Sequence, residues 1–363
     1  GCPCKSNYWG VHCIRYAKQI KEPNKRGKER LMKVAGMHYR TVWMEGPVVK
    51  MINQPLIPHE FKIVEMRHHE ETARAIQTMV VRGAGAIGAT GGYGMAQVAL
   101  EAPGKSFWGY VEQGAQTLRN TRPTAQNLFY AIERVFAEIT RYRGRPQQAR
   151  EAAVAMAQTI AHEDAAACRQ IGEYGAELIQ DGMQIGTHCN AGWLAFVDWG
   201  SALSPIYTAC RQGKQVFVYV DETRPRCQGS RLTAWELGQE GVPYAIIADN
   251  STGHFMRSGQ VQMMIVGADR IAANGDVANK IGTYQIAILA KHFKIPFYVI
   301  CPPASRAKTG KDIRIEIRPE KELLEFKGVR LAPQGVKGYY PAFDITPKNL
   351  ITKHILCSIK INQ

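Results

Sequence analysis

Two residues stand out for the chemistry their type and setting permit. Cys189 lies in IGTHCNAG (185–192) and Asp269 in VGADRI (266–271). Each follows a short apolar run and lies beside glycine, the pattern with which α/β folds present side chains at the carboxyl ends of parallel strands. A thiol in that position serves as a nucleophile, as an acid/base, or only as a small packed hydrophobe. His188 is adjacent, but neighbours along a strand point to opposite faces, so no Cys–His dyad is expected. A carboxylate at the mouth of an apolar sheet is desolvated, which raises its pKa and lets it act as a general acid. The other reading of Asp269 is a helix cap or an ion pair with Arg270.

A second set of residues suits an anion. Arg82 precedes Gly83 and Ala84 in VRGAGAIGATGGYGMA (81–96), where six glycines fall within 83–94. Arginine offers a bidentate fork to an oxyanion, and the amides of a following helix start add donors. Small residues equally allow close helix packing, and both readings stand. The segment is neither GxGxxG after a clear strand nor GxxxxGK[ST], so it implies no dinucleotide and no P-loop. Arg122 sits just before the helix expected over TRPTAQNLFYAIERVFAEI (121–139), with Thr124 as its N-cap. Lys280 opens a helical pattern in NGDVANKIGT (274–283), and Asn279 and Gln228 add neutral donors. Two arginines, a lysine, amide donors, one thiol and one carboxylate suit a small phosphorylated substrate handled by proton transfer. There is no HExxH and no Asp/Glu/His grouping at ligand spacing, and no redox-cofactor motif, so neither metal nor cofactor is expected. Cys2, Cys4, Cys13 and His12 have poor spacing for zinc.

The elements that must position these residues change character along the chain. Residues 38–66 alternate apolar and polar in three runs, as short antiparallel strands do. Helical spacing follows over 68–81, 106–118 and 121–139, and over an Ala-rich stretch, 148–180, with a break expected near His162. From 183 the pattern becomes strand–helix alternation, with strands at 183–189, 215–220, 244–248, 261–266 and 296–300 and helices at 200–212, 230–240, 252–259 and 282–293. Continuous apolar strands with helical crossovers mean a parallel sheet covered on both faces. The expected fold class is therefore α/β: a Rossmann-like parallel-sheet C-terminal domain (182–363) preceded by a small β plus helical-bundle N-terminal domain (37–181). Residues 302–330 read as charged loop and strand, and 338–351 as a segment that folds back and ends in a short helix.

Composition bounds the rest. The chain has 363 residues, 45% hydrophobic and 21% charged, and no apolar run approaches the ~18 residues of a membrane span. Net charge is +15, and residues 1–36 carry +7 of it, nine Lys or Arg against Glu22 and Glu29. This reads as a basic N-terminal extension, with Met37 starting the compact part, and not as a nucleic-acid surface of the body. Nine scattered cysteines, an odd number without a CxxC pair or a secretory pattern, point to a reducing cytoplasm.

RGAGAIG, TRPTAQNL, THCNAG, DETRPRCQGSRLTAWEL, GADRI, NGDVANKIGTYQIAILA and a late PAFDITP, in this order, resemble the S-methyl-5-thioribose-1-phosphate isomerase family over about residues 38–355. That family is related to the alpha, beta and delta subunits of translation initiation factor 2B. The resemblance implies an aldose–ketose isomerase of methionine salvage, with Asp269 as proton donor and Cys189 as active-site cysteine. It places Arg82, Gly83 and Ala84 in the phosphate loop, joined by Arg122, Gln228, Asn279 and Lys280. It also implies a homodimer with a small phosphorylated sugar as substrate, and no metal or organic cofactor. Gly85 stands where the family usually has proline, Trp193 and Cys227 also depart from the pattern, and so does 302–318. The alternatives are an isomerase of ribose 1,5-bisphosphate or 5-deoxyribose 1-phosphate, and a non-catalytic subunit of the initiation factor 2B type.

Overall fold

In the computed structural model, the described residues are 32–301 and 307–356. Most of the basic extension, with Cys2, Cys4, His12 and Cys13, lies outside them, as do 302–306 and 357–363. The chain enters through a hairpin of β1 (Lys33–Val34) and β2 (Met37–His38). An antiparallel sheet follows, β3 (Val42–Glu45), β4 (Val48–Ile52) and β5 (Ile63–Met66). Five helices come next: α1 (His69–Gln77), α2 (Ala84–Glu101), α3 (Phe107–Arg119), α4 (Gln126–Thr140) and α5 (Pro146–Ala176). Glycine and alanine let α2 lie at the centre of this bundle. From Gly85 through Ala99 every one of its residues is buried.

The second half alternates as the spacing predicts: β6 (Gln184–Thr187), α6 (Ser204–Arg211), β7 (Phe217–Asp221), α7 (Ala234–Gln239), β8 (Tyr244–Ile247), α8 (Thr252–Arg257) and β9 (Met263–Val266). A hairpin of β10 (Arg270–Ile271) and β11 (Val277–Lys280) interrupts before α9 (Thr283–His292) and β12 (Phe297–Cys301). Charged β13 (Ile317–Arg318), α10 (Lys321–Leu324), β14 (Glu325–Phe326) and β15 (Val329–Arg330) follow. The described chain closes with β16 (Tyr340–Pro341), β17 (Phe343–Thr346) and β18 (Lys353–Leu356). The main sheet has six parallel strands in the order β18-β12-β9-β6-β7-β8. The strand order reverses between β6 and β9, and an open α/β sheet has its crevice at such a switch point.

Four expectations need correction. The Ala-rich helix is continuous for 31 residues, with no break at His162, because no glycine or proline interrupts it between Pro146 and Gly172. Helix α4 begins at Gln126, and the Thr124 hydroxyl caps nothing but lies 3.4 Å from Glu316 Oε2. Lys280 ends a strand, not a helix start, since β11 pairs with β17 as well as β10. A sixth parallel strand, β18, follows the short 3-10 turn at Lys348–Leu350.

The compact part also begins before Met37. Met32 and Val34 are buried against the second core, and the Met32 amide donates to Asp198 Oδ1 at 3.3 Å, whereas Met37 is 60% exposed. Helix α5 serves two cores, Ala149–Ala165 facing the bundle and Ala167–Ala176 the sheet, so the two halves share a rigid element. We expect Met32→Ala to lower unfolding free energy by about 2–5 kcal/mol, the usual result of emptying a buried methionine site. Met37→Ala should stay within about 0.5 kcal/mol. Urea denaturation of both variants checks this; equal, small effects would place the start of the fold at Met37 after all.

Candidate active site

The strands that flank the switch point end in the two reactive residues. Cys189 follows β6, and Asp269 follows β9. The Asp269 amide donates to Ala278 O of β11 at 2.9 Å, which brings Lys280, two residues on, to the same place. Lys280 Nζ donates to Ala342 O at 2.9 Å and lies 4.7 Å from the Phe343 ring centroid. From the bundle come Arg82 and the N-terminus of the 18-residue α2, capped by Gly83. Gly83 has φ +94°, and a Cβ on it would overlap the Ala195 backbone, so only glycine fits here. Arg82, Gly83, Ala84, Arg122, Cys189, Gln228, Asp269 and Lys280 all line one cavity of about 360 Å³. Asn279 does not: it alternates with Ala278 and Lys280 on β11, and its Nδ2 donates to Thr283 Oγ1 at 3.0 Å.

Cys189 is held in a left-handed conformation, φ +65°. Such a non-glycine residue costs of order 1–3 kcal/mol and persists only where its surroundings enforce it. Here its amide donates to Thr223 Oγ1 at 2.9 Å and its carbonyl accepts from Thr233 Oγ1 at 2.7 Å. Thr223, itself at φ +64°, is held by Asp249, whose carboxylate accepts from the Thr223 and Arg224 amides at 2.6 Å each. Asn190 then orients Arg82. Its Oδ1 accepts from Arg82 Nη1 and its carbonyl from Nη2 at 3.0 Å. The Asn190 Nδ2 donates to Glu236 Oε1 at 2.7 Å. Glu236 also accepts from the amides of Trp193 and Leu194 and from Tyr207 Oη. Nothing in the sequence marks Glu236, which sits in an ordinary helical pattern.

The electrostatics follow from desolvation. Asp269 is exposed to the cavity, and the protein packed around it desolvates its carboxyl and pushes it above the usual range, against the pull of Lys280, Arg82 and Arg122. Burial pushes the Cys189 thiol up as well, again opposed by Lys280 and Arg82. Lys280 is lowered by burial, with Cys189 and Asp269 restoring part of its charge. The Arg270 guanidinium donates to Thr124 O, and burial lowers it while the charge of Asp269 pulls the other way.

His188 faces away from the thiol, as strand alternation predicts. Its Nδ1 is 2.8 Å from Asp221 Oδ2 and its Nε2 2.9 Å from Ile281 O. A carbonyl only accepts, so Nε2 carries a proton, and a second proton lies between Nδ1 and Asp221. The imidazole thus bolts the end of β6 to the turn after Lys280. His188, Asp221 and Asp249 also converge closely enough to hold a metal, as do His69, Glu70 and Glu101. Neither grouping is visible as spacing in the sequence, because separate strand ends and helices bring the residues together. The donor atoms of the first are engaged in the hydrogen bonds just described.

The charged segment forms the cavity's outer wall. Arg122 Nη2 meets Glu316 Oε2 at 3.2 Å; Arg318 bonds both Glu316 and Glu322; and Glu322 reaches Arg226 at 3.2 Å. Its sequence looked like solvated loop, and only the arginines on the opposite wall turn it into a lid.

Residues 80–357 match the model of the initiation factor 2 subunit family. Methylthioribose-1-phosphate isomerase of Chloroflexus aurantiacus is 47% identical over 324 residues, 87% of this chain and 93% of that protein. The enzyme of the same name from Desulforudis audaxviator is 48% identical over 315 residues, 85% and 90% of the two chains. Among solved structures, 5-methylthioribose 1-phosphate isomerase from Pyrococcus horikoshii OT3 superposes with a TM-score of 0.82 at 42% identity, covering 87% of this chain and 90% of that one. Translation initiation factor eIF-2B, subunit delta, from A. fulgidus gives 0.79, also at 42% identity, covering 87% and 94%. By fold, by site and by likeness over most of its length, the chain belongs to the initiation factor 2 subunit family and, within it, to the methylthioribose-1-phosphate isomerases.

Proposed function

We propose that the protein converts S-methyl-5-thio-α-D-ribose 1-phosphate to S-methyl-5-thio-D-ribulose 1-phosphate, an aldose–ketose isomerisation in methionine salvage. The observation that carries this is the convergence of a carboxyl open to the cavity, a buried thiol, Arg82, Lys280 and the α2 N-terminus on one cavity. Phosphate on O1 blocks spontaneous ring opening, so an acid must protonate the ring oxygen. Asp269, whose carboxyl is pushed above its usual range by desolvation in the cavity, is that acid. Arg82, Arg122, Lys280 and the α2 amides hold the phosphate, Arg122 exchanging Glu316 for it. Hydrogen then moves from C2 to C1. A shuttle through Cys189 needs a thiolate, which burial disfavours. A direct hydride shift needs none: the emptied Asp269 carboxylate takes the proton that leaves the C2 hydroxyl.

Arg226, Arg318 and Arg231 also line the cavity, but they are engaged by Glu322, by Glu316 with Glu322, and by the carbonyls of Gln54, Pro55 and Ile57. Arg314 lines the same cavity, so ribose 1,5-bisphosphate stays the alternative substrate, and assaying it beside methylthioribose 1-phosphate separates the two. The A. fulgidus likeness supports a second reading, a subunit of an initiation factor complex. Co-purification with other subunits and no isomerase activity would favour it. No helix of the described residues is long and apolar enough to cross a membrane. We take the protein to act as a homodimer in the cytoplasm, without a nucleic-acid partner.

Asp269→Asn should lower kcat by about 10²–10⁴-fold, the usual worth of one positioned acid. Cys189→Ser should also be impaired; near-wild-type turnover by both variants would sink the assignment. Because the protonated carboxyl is the active form, the wild-type rate should be full below the raised pKa of Asp269 and fall as pH rises through it. That alkaline limb should vanish in Asp269→Asn, and a limb that persists would move the acid elsewhere. Turnover in D₂O should leave C1 free of deuterium, whereas incorporation there would establish the Cys189 shuttle.

A further inference from the structure

Three residues of the cavity wall have a buried polar atom without a hydrogen-bond partner: Gln54 Oε1, Gln228 Oε1 and the Tyr340 hydroxyl. Buried polar groups are nearly always paired, and an orphan costs about 1–3 kcal/mol. Gln54 is anchored through its Nε2 on Leu194 O, and the other two mark where a ligand supplies the missing partners. Tyr340 is 3% exposed and sits on β16, opposite Arg318 of β13 and two residues before Ala342, whose carbonyl holds Lys280. Lys280 Nζ is 5.9 Å from its ring centroid. Tyr340 lines the cavity together with Glu322, Cys189, Arg226 and Arg318. Burial keeps the phenol protonated, so it is an O–H donor.

The chemistry of the pair selects its ligand. Gln228 Oε1 accepts and the Tyr340 hydroxyl donates or accepts. A phosphate dianion only accepts, so it leaves Gln228 Oε1 unsatisfied. A sugar hydroxyl donates to one and accepts from the other. We propose that Tyr340 is a specificity-determining residue that hydrogen-bonds a secondary hydroxyl of the ribosyl ring, with Gln228 as its counterpart, while the phosphate is held apart by Arg82 and α2. This rests on the isomerase reading. It assigns the sugar-reading side of the cavity to β16, a strand whose position next to the lid joins β13 to the floor that carries Lys280.

The test is Tyr340→Phe, which removes one oxygen and keeps the ring. Turnover of methylthioribose 1-phosphate, competitive inhibition by inorganic phosphate, and thermal unfolding are measured for wild type and variant. We expect kcat/KM to fall about tenfold, the order of one lost hydrogen bond to a bound group. The phosphate inhibition constant should stay within about twofold and the unfolding temperature should not fall, since an unpaired buried hydroxyl has been removed. Unchanged kcat/KM, or an equal loss of phosphate affinity, overturns the assignment, the second outcome because it reports a disturbed site and not lost sugar contact. A wild type that does not turn over methylthioribose 1-phosphate removes the isomerase reading and this inference with it, whereas an active wild type with an unaffected variant removes the inference alone.

Discussion

Glu236 is a carboxylate without access to water, and the site is arranged around satisfying it. Burial raises its pKa to about 7, and four hydrogen bonds pull the other way. Two of those bonds come from the backbone of Trp193 and Leu194 and one from Asn190, so the carboxylate shapes the turn that follows Cys189. A Cβ on Gly192 would overlap it, which explains the glycine in CNAG as a matter of close approach. Because Glu236 takes the Asn190 amide nitrogen, the amide oxygen must face Arg82. A carboxylate on one helix thereby sets the direction of the guanidinium that comes from the other half of the molecule.

The two halves meet through contacts of this kind more than through a flat interface. Thr41 Oγ1 donates to Trp193 O, Gln54 Nε2 to Leu194 O, and Asp164 on α5 accepts from the Val197 amide. All of them grip the segment 193–197 that follows Cys189. Asp164 is half-buried, and desolvation raises it to about 7, so this grip too relies on a carboxyl shifted by its surroundings. The shared helix α5 fixes the spacing between the bundle and the sheet, and the cavity lies between Arg82 on one side and the ends of β6 and β9 on the other.

The lid adds a third layer. Glu316 pairs with Arg122 and Glu322 with Arg226 across the cavity mouth, and Arg318 bridges the two glutamates. Partly exposed pairs contribute little to stability. Their effect is geometric: they hold Arg122 and Arg226 in place and tie the segment 316–322 across the cavity.

Much of this was legible along the chain. Local pattern specifies local structure, so the strands and helices from 183 to 300 lie within a few residues of where their apolar spacing puts them. Cys189 and Asp269 are recognisable because a strand end followed by glycine is itself a local signal. The break expected near His162 is absent from α5, since helix interiors are broken by glycine and proline, and neither stands there. What the sequence could not determine is what arises between distant residues. The strand order that sets β6 beside β9, the face of β11 that turns Asn279 away and Lys280 inward, Glu236 as the anchor of Arg82, and the lid's pairing with Arg122 all depend on contacts some 40 to 200 residues apart. Spacing along a chain constrains only neighbours one or two turns away, whereas burial, which shifts these pKa values and leaves Tyr340 without a partner, exists only once the chain has closed around them.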